Sequence, residues 1–326
     1  MLPICSVPVV LSEPGKYCVN CDLVYNGSAA AILVTADNIS INFHNHSLTL
    51  TDSNAQGILV KDVNEFTLEN DIIQGSSIFK SATSAAVHLE NVNKATLKNI
   101  YTKNTTKGIA IENSADVRVE YSRVEAHEGT VQVTFPSPAT LAGTGNGAGI
   151  WIDGSHGVAV DSCAFVGADL VFDPARTSFG LHIEGDSKNI TLKHSTFTDW
   201  LGSIHALNVD GLLVDHCIAI ASPVSNLNVV QLGSCSQETK ANDVIIRNSN
   251  FVYSGDRPGF DGLFLAGGSG CVLENLVVDT QSDLINANSV VYYPAGIHVG
   301  LQGCDSFENV VARNCIVKGH NYIGVH

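Results

Sequence analysis

The stretch GLHIEGDSKNITLKHSTF, Gly180 to Phe197, limits what this chain can fold into, because its grammar recurs almost from end to end. Leu181 and Ile183 alternate with His182, Ile190 and Leu192 alternate with Thr191, and a Gly/Asp/Ser/Asn turn separates the two runs. Two short period-2 strands joined this way form one coil of a stack, since neither alone can bury its apolar side. The pattern returns in GIAIENSADVRVEYSRV from Gly108, GIWIDGSHGVAVDSCAF from Gly149 and AGIHVGLQGCDSFENVVARNCIV from Ala295. A solenoid grows by adding coils, so the 326 residues read as one domain.

From Ala29 the first strand of each coil aligns on one outward residue between two inward ones. The outward residues are Leu33, Leu59, His88, Ala110, Trp151, His182, Asn208, Gln231, Phe264 and His298, which predicts ten coils. Their separations run from 22 residues (His88 to Ala110) to 41 (Ala110 to Trp151), as expected of tight coils with loops inserted at corners. At about 4.8 Å per coil the rod is on the order of 48 Å long. Residues 1–28 fall outside the pattern and are expected to form an N-terminal cap, with the β-helix over 29–326. The closing NYIGVH reads as the first strand of an eleventh coil without a polar cap. Truncation, self-association or a further domain is expected at that open edge.

Two residues past the second strand stand Asn70, Asn99, His194, His216, Asn248, Asn275 and Asn314. Amides stacked coil on coil hydrogen-bond each other and the turn backbone, so Asn70, Asn99, Asn248, Asn275 and Asn314 are read as a structural ladder.

These coils resemble the right-handed parallel β-helix of the pectate-lyase-like superfamily, built from its short degenerate repeat. The opening EPGKYCVNCDLVYNGSAAAILVTADNISINFHNHSLTL resembles the Pro-Gly-x-Tyr entry segment of many such proteins. The resemblance covers about residues 10–326. It implies an all-β fold and a polysaccharide groove on the first-strand face. It leaves function open, because the superfamily includes lyases, hydrolases, epimerases, tailspikes, adhesins and structural fibres.

Two positions beyond each outward residue lie Lys61, Glu90, Glu112, Asp153, Glu184 and Asp210, which predicts five acids in register. Neighbouring rungs about 5 Å apart and alternate rungs about 10 Å apart bracket the carboxylate separations of retaining and inverting glycosidases. The plainer reading is a solvated charged face. Stacked like charges repel, and calcium would relieve them, but no dedicated calcium loop is present and no cofactor is expected.

Asp153, Glu184 and Asp210 are the catalytic candidates; Trp151, His182, Glu112 and Asn208 are the substrate-binding candidates. Trp151 is either a sugar platform or packing under a loop. The insertions Glu125 to Gly147 and Val166 to Ser178 enter the corners just before Trp151 and His182, where they would wall a groove. A pectate-type lyase needs a base and cations for uronates. Lys61 is expected to be the only lysine on this face, with no arginine, which argues against that chemistry.

The formal net charge of -15, with no basic cluster, excludes a nucleic-acid partner and disfavours polyanionic glycans. No apolar run approaches the roughly 20 residues of a membrane span. MLPICSVPVVLSEPG lacks the features of a secretory signal, yet sequons at Asn26, Asn38, Asn45, Asn104 and Asn189 lean toward a glycoprotein on an extracellular or virion surface. Most of the nine cysteines read as reduced core thiols, and Cys163, Cys217 and Cys315 share an inward column with Ser122, Ser195 and Ser249. Cys18 and Cys21 are read as a local disulfide or a free pair. Asp215 and His216 look like a lyase Asp-His pair, but His216 falls in the turn ladder. Two functions follow: a non-enzymatic surface, fibre or virion protein that binds glycan, or a glycoside hydrolase on a neutral or amino-sugar polysaccharide.

Overall fold

The computed structural model describes residues 1–75, 84–125, 129–130, 147–167, 176–221, 228–234, 239–253, 261–280, 295–300, 307–318 and 323–325. Its strands wind as a right-handed parallel β-helix. The first strands of successive coils form one face, a parallel run of twelve from Val9–Leu11 to Ile323–Val325. Gly129–Thr130 adds one short antiparallel partner to Arg176–Glu184. The second and third strands join in a single sheet of 21 strands around the other faces. No helix long and apolar enough to cross a membrane occurs among the described residues.

Alternation puts one apolar row of each face inside. Ile32, Ile58, Val87, Ile109, Ile150, Leu181, Ile204, Val230, Leu263 and Ile297 stand on successive rungs and are buried. Aromatic rings fill the third-strand corner, where Phe165 and Phe197 stack with centroids 4.3 Å apart and planes 6° apart. Each row meets its own kind one rung away, so burial and dispersion repeat along the rod.

Coiling begins earlier than the alternation suggests. Val9–Leu11 pairs with Ile32–Val34, Gly15–Cys18 with Ile39–Asn42, and Leu23–Tyr25 with Leu48–Leu50, all parallel. Residues 9–25 are therefore a coil in register rather than a cap outside the pattern. Two of its strands, Val9–Leu11 and Leu23–Tyr25, have only three residues, and breaks at Pro14 and at residues 20–22 interrupt the run, so period 2 does not show.

The turn residues share one conformation. Asn70, Asn99, His194, His216, Asn248, Asn275 and Asn314 all have φ between 47° and 56°, the left-handed region that asparagine tolerates. Asn99 Nδ2 donates to Asn70 Oδ1 at 3.1 Å and Asn275 Nδ2 to Asn248 Oδ1 at 3.0 Å. Asn248 Nδ2 continues to Asp215 Oδ1 at 2.9 Å. Asp215 is clamped by Arg247 and His216 as well, at 2.8 and 2.7 Å. Burial opposes this, but those partners hold Asp215 down to about 2, as an ionised, hydrogen-bonded member of the turn.

The inward column of small residues is hydrogen-bonded coil to coil. The amides of Ile100, Cys163 and Cys217 donate to the hydroxyls of Ser122, Ser195 and Ser249 at 3.1, 3.1 and 3.0 Å. Burial pushes Cys163 and Cys271 up to about 12 and Cys217 to about 11. Cys18 faces inward, its thiol directed to the Leu2 carbonyl, whereas that of Cys21 turns to the Cys5 carbonyl. The two are free thiols turned apart. Among the described cysteines, a thiol reagent at neutral pH is expected to label Cys5, Cys21 and Cys315 in the native protein and spare Cys18, Cys163, Cys217 and Cys271. Peptide mapping after native labelling checks this; modified Cys163 would contradict the packing.

Candidate functional site on the first-strand face

Strand register gathers four acids into one row. Lys61 pairs with Glu90, Glu90 with Glu112, Glu112 with Asp153 and Asp153 with Glu184. Alongside, Ala110, Trp151 and His182 stand outward on successive rungs. Rungs are about 4.8 Å apart, so Glu112, Asp153 and Glu184 share one patch with Trp151 and His182.

The next rung departs from expectation. His205 continues the outward row, pairing with His182 before it and Gln231 after it. Leu207-Asn208-Val209 alternates as convincingly as Ile204-His205-Ala206, and a slip between such segments moves every later side chain. Asn208 lies instead in the following turn at φ 51°, its amide donating to the Asp186 carboxylate. Asp210 leaves the acid row altogether: it pairs with Lys188 and Asn242 on the other sheet and is exposed. The row thus has four acids and ends at Glu184.

A marker for the true register stands in the sequence. Gly149, Gly180 and Ser203 precede Trp151, His182 and His205 by two places. A Cβ on Gly149 would come within 2.6 Å of the Gly180 carbonyl oxygen, and one on Gly180 within 2.9 Å of that of Ser203. Only small residues fit this corner.

The face also carries a second lysine. Lys107 opens the strand Lys107–Glu112, and its ammonium lies over the Trp151 ring and 3.8 Å from Glu112 Oε1. Lys61 is therefore not the only lysine here, and one face of Trp151 is occupied. The indole is a donor too: Trp151 Nε1–H reaches Glu184 Oε1 at 2.9 Å. His182, 3% exposed, brings Nε2 to 3.2 Å from Glu184 Oε2. On the other side of the patch, His88 Nε2 lies 3.1 Å from Glu112 Oε1 but is not aligned as a hydrogen bond.

These contacts drive the charges apart. Burial raises Asp153 above its ordinary value, and the Glu184 and Glu112 charges add to that. Burial also pushes Glu184 upward, but His182, Trp151 and Lys107 outweigh it and leave Glu184 below its ordinary value. Glu112 is lowered by His88 against the effect of burial, with Lys107 assisting. Burial brings Lys107 down to about 8, despite the three acids around it. The patch thus places one carboxyl biased toward its neutral form between two biased toward the anion.

Among the described residues, no group of three or more His, Cys, Asp and Glu side chains is arranged to hold a metal ion. The predicted wall segments, Glu125 to Gly147 and Val166 to Ser178, lie largely outside the described residues.

No protein-family model and no curated protein matches the sequence. Solved structures do share the fold. The A-module of mannuronan C-5 epimerase AlgE6 from Azotobacter vinelandii is similar with a TM-score of 0.59 at 9% identity, over 96% of this chain and 90% of that module. A mutant tailspike of E. coli bacteriophage HK620, in complex with a pentasaccharide, is similar with a TM-score of 0.53 at 12% identity, over 95% of this chain and 60% of the tailspike. The Dettilon tailspike protein gives 0.51 at 12% identity, over 97% of this chain and 59% of the tailspike. The chain thus spans little more than half the length of the tailspikes. At these identities the likeness is one of fold: the protein is a member of the parallel β-helix class.

Proposed function

We propose that this β-helix is a glycan-processing surface protein whose first-strand face hydrolyses a neutral or amino-sugar polysaccharide. The observation that carries this reading is the register pair Asp153 and Glu184, neighbouring carboxyls pushed in opposite directions. Environments that separate two carboxyls assign acid and base roles, here Asp153 as proton donor and Glu184 as the ionised partner. A rung spacing of about 4.8 Å is nearer to the retaining than to the inverting separation, which makes Glu184 the nucleophile. The acids outnumber Lys107, which favours a neutral or cationic sugar over a uronate. The tailspikes that share the fold, one of them holding a pentasaccharide, support a polysaccharide ligand and an extracellular or virion location.

Incubation of the chain with neutral, amino-sugar and uronic-acid polysaccharides tests this, reading reducing ends and unsaturated products together. Reducing ends are expected, and they vanish in Glu184→Gln and Asp153→Asn. Activity is expected to peak on the acid side of neutrality. Glu184 must stay ionised, so the rate falls as pH drops through its lowered value; Asp153 must stay protonated, so it falls again as pH rises through its raised value. Unsaturated products would instead make Lys107 the base and overturn the hydrolase reading. Silence across the panel would favour the non-enzymatic, glycan-binding alternative.

A further inference from the structure

Behind Glu184 lies a second imidazole that the hydrolytic reading does not use. His205 is 1% exposed, and Phe179 stacks on its ring with centroids 4.4 Å apart and planes 18° apart. Its Nδ1 lies 3.0 Å from Nδ1 of His182. Two Nδ1 atoms at that distance form a hydrogen bond only when one carries a proton and the other does not.

The surroundings decide which one. Glu184 accepts from Trp151 Nε1–H and, through its other oxygen, from His182 Nε2. A neutral His182 that donates from Nε2 has a bare Nδ1, so the proton belongs to His205 Nδ1. The far nitrogen agrees: His205 Nε2 is buried without a hydrogen-bond partner. A bare acceptor there is tolerated more readily than an orphaned N–H. Among the described residues, the preceding rung presents the titratable His182 to His205, and the following rung presents Gln231. Burial, and then the neighbouring His182, keeps His205 far below the ordinary histidine value and therefore neutral.

We propose that His205 is a positioning residue: its Nδ1–H locks His182 in the tautomer that donates from Nε2, and His182 in turn fixes the Glu184 carboxylate. The hydrogen bonds then run in one direction, from His205 to His182 to Glu184, with Trp151 completing the carboxylate from the other side. This deepens the hydrolytic reading and rests on it for Glu184 as the working carboxylate. The lock between the two rings does not depend on turnover.

Long-range proton–nitrogen NMR correlation of the histidine rings in the full chain tests it. Wild-type His205 is expected to show a protonated Nδ1 and a bare Nε2, and His182 the reverse. His205→Phe keeps the stack on Phe179 but frees His182, whose two nitrogens move to the intermediate shifts of exchanging tautomers. His205→Asn offers an amide N–H near the Nδ1 position and restores the fixed pattern. His298, held by Asp261 at 2.9 Å on a distant rung, keeps its signals in each variant and reports an intact fold. A proton on Nε2 of wild-type His205, or an unchanged fixed tautomer of His182 in His205→Phe, overturns the proposal. Correct spectra with no product from any polysaccharide would remove the hydrolytic reading and leave the lock standing.

Discussion

Asp71→Ser is expected to stabilise the chain at neutral pH by about 1–3 kcal/mol, the usual cost of an unmet buried polar group. Asp71 is 1% exposed, and neither carboxyl oxygen has a hydrogen-bond partner. Burial raises it far above the ordinary aspartate value, and the nearby Ile72 amide offsets this without a hydrogen bond to either oxygen. Asp71 occupies the inward column that continues through Ile100, Ser122, Cys163 and Ser195. A serine there can donate to the Glu69 carbonyl, as Ser122 Oγ does to that of Glu120 at 2.9 Å.

The sign of the pH dependence follows from the raised value. Below about 3.9 the carboxyl is protonated in both folded and unfolded chains, and the aspartate carries no ionisation penalty. As pH rises the unfolded chain releases its proton first, so wild-type stability falls until the folded value is passed. The advantage of Asp71→Ser should therefore grow between pH 4 and neutral pH. Urea unfolding of both proteins at the two pH values measures this. An advantage that does not grow with pH would mean the carboxyl is not a buried, unpaired group.

How much of this was legible depends on which signal each residue leaves. The column of Ser122, Cys163, Ser195, Cys217 and Ser249 shows in the sequence because small residues recur at one offset. Asp71 at the same offset does not, since an acid beside Asn70 reads as a solvated turn. The acid row from Glu90 to Glu184 is visible because each member ends a clear alternation. It fails at the next rung, where Leu207 and Val209 imitate the strand and only Ser203 marks the true register. Lys107 escapes for a different reason: it stands before the glycine that opens the pattern, and only the fold brings its long side chain over Trp151. Alternation reports which face a residue takes, whereas the site also depends on side chains that reach across rungs.

Gly185→Ala is expected to disable the site as thoroughly as loss of the Asp153 carboxyl, although Asp153 itself remains. The turn after the acid row repeats a left-handed residue, at Asp62, Asn91, Asn113, Gly154 and Gly185, with φ from 48° to 70°. Asparagine holds that conformation on earlier rungs, so backbone preference alone does not demand glycine here. The Asp153 side chain does. A Cβ on Gly185 would stand 1.7 Å from Asp153 Oδ1 and 2.6 Å from the Gly154 amide nitrogen. The carboxyl must therefore swing out of the pocket that raises it, and the left-handed alanine costs about 1–2 kcal/mol more. Polysaccharide cleavage should fall to the level of Asp153→Asn, and the chain should lose about 2 kcal/mol or more in urea unfolding. Because the clash belongs to the pair, Asp153→Ala should relieve much of the penalty of Gly185→Ala, giving a double-mutant cycle far from additive. Additive costs would show that the two residues do not share that space. The geometry of the acid pair would then rest on the strands alone, and Gly185 would be an ordinary turn glycine.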